Sequence, residues 1–284
     1  MSGGGERVDL HLHSTASDGT EPPAAVVRRA AEAGLAGLAL TDHDTVGGLD
    51  EAAREASRLG LRFLPGAELS ANEPGRSIHL LAYGFDPEDE GLLEYFEVYR
   101  RDRVRRAREI VRRLGEAGVD LPYEEVEARA VGGVPTRAHI GRALVEEGLV
   151  RDERTAFGRY LSRGRPAFVE KRPSPPEDVI RRAHAAGGVV LVAHPGREHS
   201  LEDIERWIDA GLDGVEVLHP SHRGRMRREL RSLAEGRDLL CGGGSDWHGR
   251  DQVHEAEPGS QDVPLAWLEA IVERTGTSRV SSRP

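Results

Sequence analysis

Through the first eighty-odd residues, short apolar runs alternate with amphipathic stretches of helical period, and this alternation limits the possible folds more than any single motif. "RVDLHLH" is followed by "PPAAVVRRAAEAG", "LAGLALTDHD", "GGLDEAAREASRLG", "LRFLPGAELS" and "SIHLLAYG". The first, third, fifth and sixth fit strands and the others fit helices, which begin near prolines or polar caps and end at Gly34 and Gly60. The alternation resumes from Pro175, with strand-like "GVVLVAHPG", "LDGVEVLHP" and "DLLCGGGSDWHG" set between helical stretches and a closing helical "PLAWLEAIVERTG". Between them, residues 87–164 are long, charged and helical in pattern, and read as an insertion. The expected class is therefore α/β, with residues 6–86 and 165–280 forming one domain of βα units. Such units predict parallel strands, and ligands collect at the carboxyl ends of parallel strands.

With 284 residues the chain can bury a large core, and no apolar run approaches the roughly 18 residues of a membrane span. Met1–Glu6 lacks the basic and apolar regions of a secretory signal, and Cys241 is the single cysteine, so no intrachain disulfide or thiolate metal site can form. A cytoplasmic protein is expected. The formal charge of −10 argues against a broad nucleic-acid-binding face and against DNA duplex binding, but leaves room for a local basic pocket. Lys171 is the only lysine.

The strand ends carry the chemistry. In an extended strand His11 and His13 face one way while Val8, Leu10 and Leu12 face the other, and the turn-forming "STASDG" that follows can return Asp18 to the same end. On this stretch alone a hydrogen-bonded pair of structural histidines is the commoner reading. The next ends add Asp42, His43 and Asp44, then Glu68, His79, His194, Glu216 with His219, and Asp246 with His248. Each has a bland reading by itself, as a cap or a satisfied core residue. Histidines and carboxylates at every successive end supply instead the nitrogen and oxygen ligands of a multinuclear divalent-metal site.

At this point the sequence resembles the PHP (polymerase and histidinol phosphatase) metal-dependent phosphoesterases, through "HLHSTASDG", "TDHD", "GAELS", "IHLLAYG", "AHPG" and "SDWHG" in that order. The resemblance implies a distorted seven-stranded (β/α) barrel with the 87–164 helical insertion covering the active site. It also implies two to three divalent metals, manganese first, with iron or zinc as alternatives. By analogy His11, His13, Glu68 and Asp246 hold one metal, Glu68, His79 and His194 a second, and Asp18, His43 and His248 a third, with Glu68 bridging two. Two close metals lower the pKa of a shared water, aim it at phosphorus and stabilise the leaving oxygen. Asp42 is expected to orient a ligand histidine, because such histidines donate their other N–H to an acceptor. Amidohydrolases share the His-x-His start but need a carbamylated lysine near mid-barrel, and Lys171 lies in a proline-rich connector.

"PTRAHIGRALVEEG" and "GRPAFVEKRP" resemble substrate-facing parts of one PHP subgroup, the 3′,5′-nucleoside bisphosphate phosphatases and related 5′→3′ exoribonucleases acting on short RNA. The implied substrate contacts are Arg137, His139, Lys171, Arg197, Ser221 and His222. For Arg137 and His139 the competing reading is a solvated helix start. The implied partner is a small phosphorylated nucleotide or short RNA. Histidinol-phosphate phosphatase is the enzymatic alternative, and a non-catalytic metal-binding scaffold or polymerase accessory is the alternative of another class. The arginine-rich "YRRDRVRRAREIVRRLG" reads as a solvated helix face, because Glu97–Arg101, Asp102–Arg106 and Glu109–Arg113 are acid-before-base pairs at i, i+4.

Overall fold

The computed structural model of the chain describes residues 6–130, 134–196, 199–249 and 256–276. In chain order its elements are β1 (Arg7–Asp9), α1 (Pro23–Glu32), β2 (Gly37–Leu40), α2 (Leu49–Leu59), β3 (Arg62–Glu73), β4 (Arg76–Tyr83), α3 (Glu90–Glu116), α4 (Tyr123–Arg129), α5 (Arg137–Glu146) and α6 (Glu153–Ala156) with a π-helical turn at Phe157–Leu161. They continue as α7 (Pro176–Ala185), β5 (Val189–Val192), α8 (Leu201–Asp209), β6 (Gly214–Leu218), α9 (Gly224–Arg237), β7 (Leu240–Gly243), β8 (Val263–Pro264) and α10 (Leu265–Thr275). Two compact units result, Met1–Leu93 with Pro173–Pro284, and Glu94–Arg172. No helix among the described residues is long and apolar enough to cross a membrane.

In the first unit a single eight-stranded sheet runs in the order β7-β6-β5-β4-β3-β2-β1-β8. It curls into a nearly closed barrel because the chain beyond β1 pairs with the chain beyond β7. The Leu10 N–H donates to Gly243 O (3.1 Å), Asp246 N–H to His11 O (2.9 Å) and His13 N–H to Trp247 O (2.9 Å). The buried Asp9 carboxylate fastens the same seam, accepting main-chain N–H groups of Ser245 (3.1 Å) and Gly259 (2.9 Å). Across the interior the Tyr83 hydroxyl donates to Leu10 O at 2.7 Å. Leu10, Leu12, Leu38, Leu40, Leu64 and Leu80 are fully buried. Each such side chain stabilises the fold by about 1.5–3 kcal/mol relative to exposure.

The α/β barrel follows the sequence expectation with two departures. β3 and β4 form an antiparallel hairpin closed at Glu73–Arg76, with Gly75 at φ +84°, so β4 and its pairing to β5 run against the parallel pattern. An eighth, two-residue strand, β8, pairs antiparallel to β1.

The Glu94–Arg172 unit has its own core of Ile110, Leu114, Val126, Ile140, Leu144 and Leu161, joined by Ala167 and Val169. Its limits lie later in the chain than the expected 87–164, because α3 begins before the unit does and the 165–172 segment packs into its core. Glu97–Arg101 (2.6 Å) and Glu109–Arg113 (2.8 Å) pair as the helix pattern predicts. Arg106 does not follow the pattern of a solvated face. It is buried and donates to Val169 O at 3.1 Å, while Asp102 pairs with Arg105 at 2.7 Å.

A glycine run permits the close approach at the seam. A Cβ on Gly244 would lie 2.5 Å from both Cβ and N of His11, and one on Gly243 would lie 2.7 Å from Leu218 Cβ and O. Gly244→Ala is expected to cost at least the ~1–3 kcal/mol of an overpacked core site, measured by urea unfolding. Gly236→Ala in α9, where an added Cβ meets nothing within 4 Å, should be neutral or stabilising by about 0.5–1 kcal/mol. Equal behaviour of the two variants would show that the seam tolerates a side chain.

Candidate metal centre

The site is built on one edge of the barrel in the first unit, from the segments leaving β1, β2, β5, β6 and β7, from the middle of β3 and from the first half of β4. Glu68 sits at its centre, with a side chain only 1% exposed. Its two oxygens face different neighbours. Oε2 lies 3.1 Å from His11 Nε2, 3.0 Å from His13 Nε2 and 3.5 Å from His43 Nδ1. Oε1 lies 2.7 Å from His79 Nδ1 and 3.2 Å from His194 Nε2. His79 reaches this edge because β4 is antiparallel: its pairing opposite Ser70 puts the first half of β4 where its neighbours end. The expectation that His79 marks a carboxyl-terminal strand end is thus corrected, although its location at the site stands.

Asp246 Oδ1 faces His11 Nε2 at 3.2 Å, His13 Nε2 at 3.4 Å and His248 Nδ1 at 3.7 Å. Asp18, returned by the turn after His13, lies 3.4 Å from His248 Nε2 and 3.9 Å from both His43 Nε2 and His13 Nδ1. Three residues of the edge, Asp44, His194 and Asp246, have φ of +50°, +29° and +53°. Non-glycine residues reach such backbone angles only at a cost, one held by the surrounding structure at sites that must aim a side chain.

Three overlapping groups bring one ligand atom from each member within 4.8 Å of the others: His11, His13, Glu68 and Asp246; His13, Asp18, His43 and His248; and His43, Glu68 and His79. Both ring nitrogens of His13 and Nδ1 of His43 are buried without a hydrogen-bond partner. Buried polar atoms are rarely left so, and a cation among these nitrogen and carboxylate donors accounts for them. The donor set fits divalent metal ions.

Electrostatics point the same way. Burial opposes protonation of His11, but the carboxylates of Glu216, Asp246 and Glu68 outweigh it and raise its pKa well above the ordinary value. Burial likewise opposes protonation of His13, yet the nearby carboxylates of Asp246 and Glu68 push it up to about 10. For His43 burial dominates and the pKa falls to about 3, which keeps it neutral. Asp246 is held well below the usual carboxylate range: burial would raise it, but His11, His13 and His219 prevail.

The carboxylate that orients a site histidine is not Asp42. Asp42 accepts from Ser14 N–H (2.8 Å), Ser14 Oγ (2.6 Å) and Ser17 Oγ (2.6 Å), and so holds the turn that carries Asp18 instead of an imidazole. Glu216 takes the orienting part, a role the sequence did not assign to it. Its Oε1 accepts from His11 Nδ1 (2.9 Å) and its Oε2 from the His194 main-chain N–H (2.6 Å). With Nδ1 committed, Nε2 is the His11 nitrogen left to face the cluster. His248 does the same through Nδ1 and Asp246 O at 2.9 Å.

Of the expected substrate contacts, Ser221 and His222 follow β6 and are engaged with the protein itself. The Ser221 hydroxyl lies 2.7 Å from His219 Nδ1, and the buried His222 bonds through Nδ1 to Val217 O (3.2 Å) and through Nε2 to Gly196 N–H (3.2 Å). Arg137, His139 and Lys171 belong to the Glu94–Arg172 unit. Arg137 and His139 do start a helix, but not a solvated one. His139 is buried, and its Nδ1 accepts from the Thr136 N–H (3.1 Å) in a capping box at the head of α5. The half-buried Arg137 lies 5.9 Å above the Phe168 ring, with Nη1 3.5 Å from Leu161 O. Arg197 lies outside the described residues.

A barrel with histidines and carboxylates gathered at one edge defines a metal-dependent phosphoesterase when set beside known proteins. The chain belongs to the PHP domain family, whose model matches residues 9–126. It is 38% identical over 251 residues to a 5′-3′ exoribonuclease of Haemophilus influenzae, covering 86% of this chain and 90% of the relative. It is 36% identical over 268 residues to a 3′,5′-nucleoside bisphosphate phosphatase of Chromobacterium violaceum, covering 90% of this chain and 92% of the relative. Among solved structures, a protein of Bifidobacterium adolescentis assigned as a metal-dependent phosphoesterase superposes with a TM-score of 0.87 at 33% identity, covering 95% and 96% of the two chains.

Because the metal-free His11 and His13 are held protonated at pH 7 and a metal ligand must be neutral, metal uptake should release protons. Affinity should therefore rise as pH increases from 7 towards the His13 pKa of about 10. Calorimetric titration of Mn2+ into the metal-free protein, in two buffers of different ionisation heat, reads the proton count directly, and zero release would contradict this electrostatic picture.

Proposed function

We propose that the chain is a divalent-metal-dependent phosphatase that removes a phosphate from 3′,5′-nucleoside bisphosphates such as adenosine 3′,5′-bisphosphate, with short 5′-phosphorylated RNA as a longer substrate for the same chemistry. The observation that carries this reading is Glu68, with its two oxygens divided between His11 with His13 on one side and His79 with His194 on the other. The names of the relatives supply the substrate class.

In this reading His11, His13, Glu68 and Asp246 hold one metal, Glu68 with His79 and His194 a second, and Asp18, His43 and His248 a third, with manganese the first choice and iron or zinc the alternatives. Such ions supply Lewis acidity: they polarise a phosphoryl oxygen, make water acidic enough to attack phosphorus and neutralise charge on the leaving oxygen. The chain's own residues fix the geometry. Glu216 and the Asp246 carbonyl hold His11 and His248 with Nε2 aimed inward. Asp42, through Ser14 and Ser17, keeps the Asp18 turn in place. Arg137, His139 and Lys171 are proposed to meet the phosphate that is not cleaved, Arg137 through the fork geometry that suits phosphate oxygens.

The purified protein loaded with Mn2+ should release phosphate from adenosine 3′,5′-bisphosphate, lose that activity to a chelator, and leave histidinol phosphate nearly untouched. Preference for histidinol phosphate would overturn the substrate reading, and binding of metal with no turnover of either would favour a scaffold. Glu68→Ala should lower activity by more than about 100-fold and remove at least one bound metal, since even residues behind the ligands are worth about 10- to 100-fold. Arg137→Ala should weaken the bisphosphate about 10- to 100-fold, the worth of a hydrogen bond to a charged group at about 1.5–3 kcal/mol. An aryl phosphate should lose far less, and equal losses on both substrates would place Arg137 away from the second phosphate.

A further inference from the structure

His219 stands at the end of β6 and belongs to none of the three ligand groups, yet it is buried at the edge of the cluster. Its surroundings settle which ring nitrogen carries hydrogen. The Ser221 main-chain N–H donates to Nδ1 at 3.1 Å, and the Ser221 hydroxyl lies 2.7 Å from the same atom. Nδ1 is therefore an acceptor, and the ring hydrogen is on Nε2. Nε2 lies 3.3 Å from Asp246 Oδ2, while the other oxygen, Oδ1, faces His11, His13 and His248.

The loop that presents His219 is itself tied down. Arg227 donates from Nε to His222 O (2.8 Å) and from Nη2 to His219 O (3.2 Å), and is held by Gln261 Oε1 at 2.6 Å. Gly244 N–H donates to Leu218 O at 2.9 Å, joining the end of β6 to the segment that carries Asp246. Asp246 itself has a left-handed backbone, with a φ of +53°.

We propose that His219 is the positioning residue for Asp246: by donating from Nε2 to Oδ2 it fixes the carboxylate so that Oδ1 alone is presented to the metal ion. Ser221 acts one step further out, by setting the tautomer. This inference rests on the reading of Asp246 as a metal ligand. It predicts that the hydrogen bond, and not the volume of the ring, is what the position requires.

The test measures Mn2+ dissociation constants by equilibrium dialysis, and the spin-resonance spectrum of the bound Mn2+, for the wild-type protein and for His219→Ala, His219→Gln and Asp246→Asn, each checked for folding by circular dichroism. His219→Ala should weaken the most affected Mn2+ site by about 10- to 100-fold, the usual effect of losing a partner behind a metal ligand, and alter its spectrum. His219→Gln, which keeps an N–H donor, should stay within a few-fold of wild type. Unchanged binding in a folded His219→Ala, or equal loss in His219→Gln and His219→Ala, would overturn the positioning role while Asp246→Asn still loses metal. Unchanged binding in Asp246→Asn would instead overturn the ligand reading beneath it, and the positioning role with it. Should His219→Ala not fold, His219→Gln decides alone, with wild-type-like affinity supporting the role and a tenfold loss overturning it.

Discussion

The seam between the chain leaving β1 and the chain leaving β7 is the constraint on which the rest of the site depends. Three main-chain hydrogen bonds close it, donated by Leu10, Asp246 and His13, and the donors Asp246 and His13 and the acceptor His11 are themselves residues of the metal centre. Closing the seam therefore sets His11, His13 and Asp246 side by side. It also explains Gly244, whose missing side chain leaves room for His11, and Asp9, whose buried carboxylate is covered with main-chain N–H groups from Ser245 and Gly259. Barrel closure and ligand placement are one event in this chain. A defect in either should be felt in the other.

The electrostatic consequence is a buried collection of histidines and carboxylates that would be costly in a core with no other function. Glu68, Asp246 and Glu216 lie within hydrogen-bond distance of imidazoles, which offsets part of the burial cost by holding protons on His11 and His13. Replacing protons with divalent ions satisfies the same carboxylates and gives the unpartnered nitrogens of His13 and His43 something to bind. The left-handed backbone at Asp44, His194 and Asp246 belongs to the same account, since each sits where a strand gives way to a loop and a side chain must be aimed.

Much of this was legible in the sequence, for a physical reason. A βα alternation places strand ends at predictable points, and histidine or carboxylate at each end is a local fact. Partnerships across the sheet were not legible. Nothing in the chain says that Glu216 reaches His11 across 205 positions, or that Asp42 serves Ser14 and Ser17 instead of an imidazole. The direction of β4 was hidden because alternation of side chains carries no sense of direction, although Pro74 and Gly75 between two strand-like runs were a hairpin signal. Arg106 satisfied the i, i+4 rule with Asp102, but the segment at Val169 lies against it and draws its guanidinium inward. Glycines 242–244 fell within a strand-like run in the sequence, which did not show that a Cβ at any of them would lie within 2.7 Å of a neighbouring strand or segment.

The measurement that tests the central claim most directly is anomalous diffraction from crystals grown with Mn2+. Two manganese peaks sharing the Glu68 carboxylate, one bonded by His11 and His13 and the other by His79, are the result this account predicts. Manganese bound without contact to Glu68, or a single ion that leaves His79 and His194 uncoordinated, would contradict it.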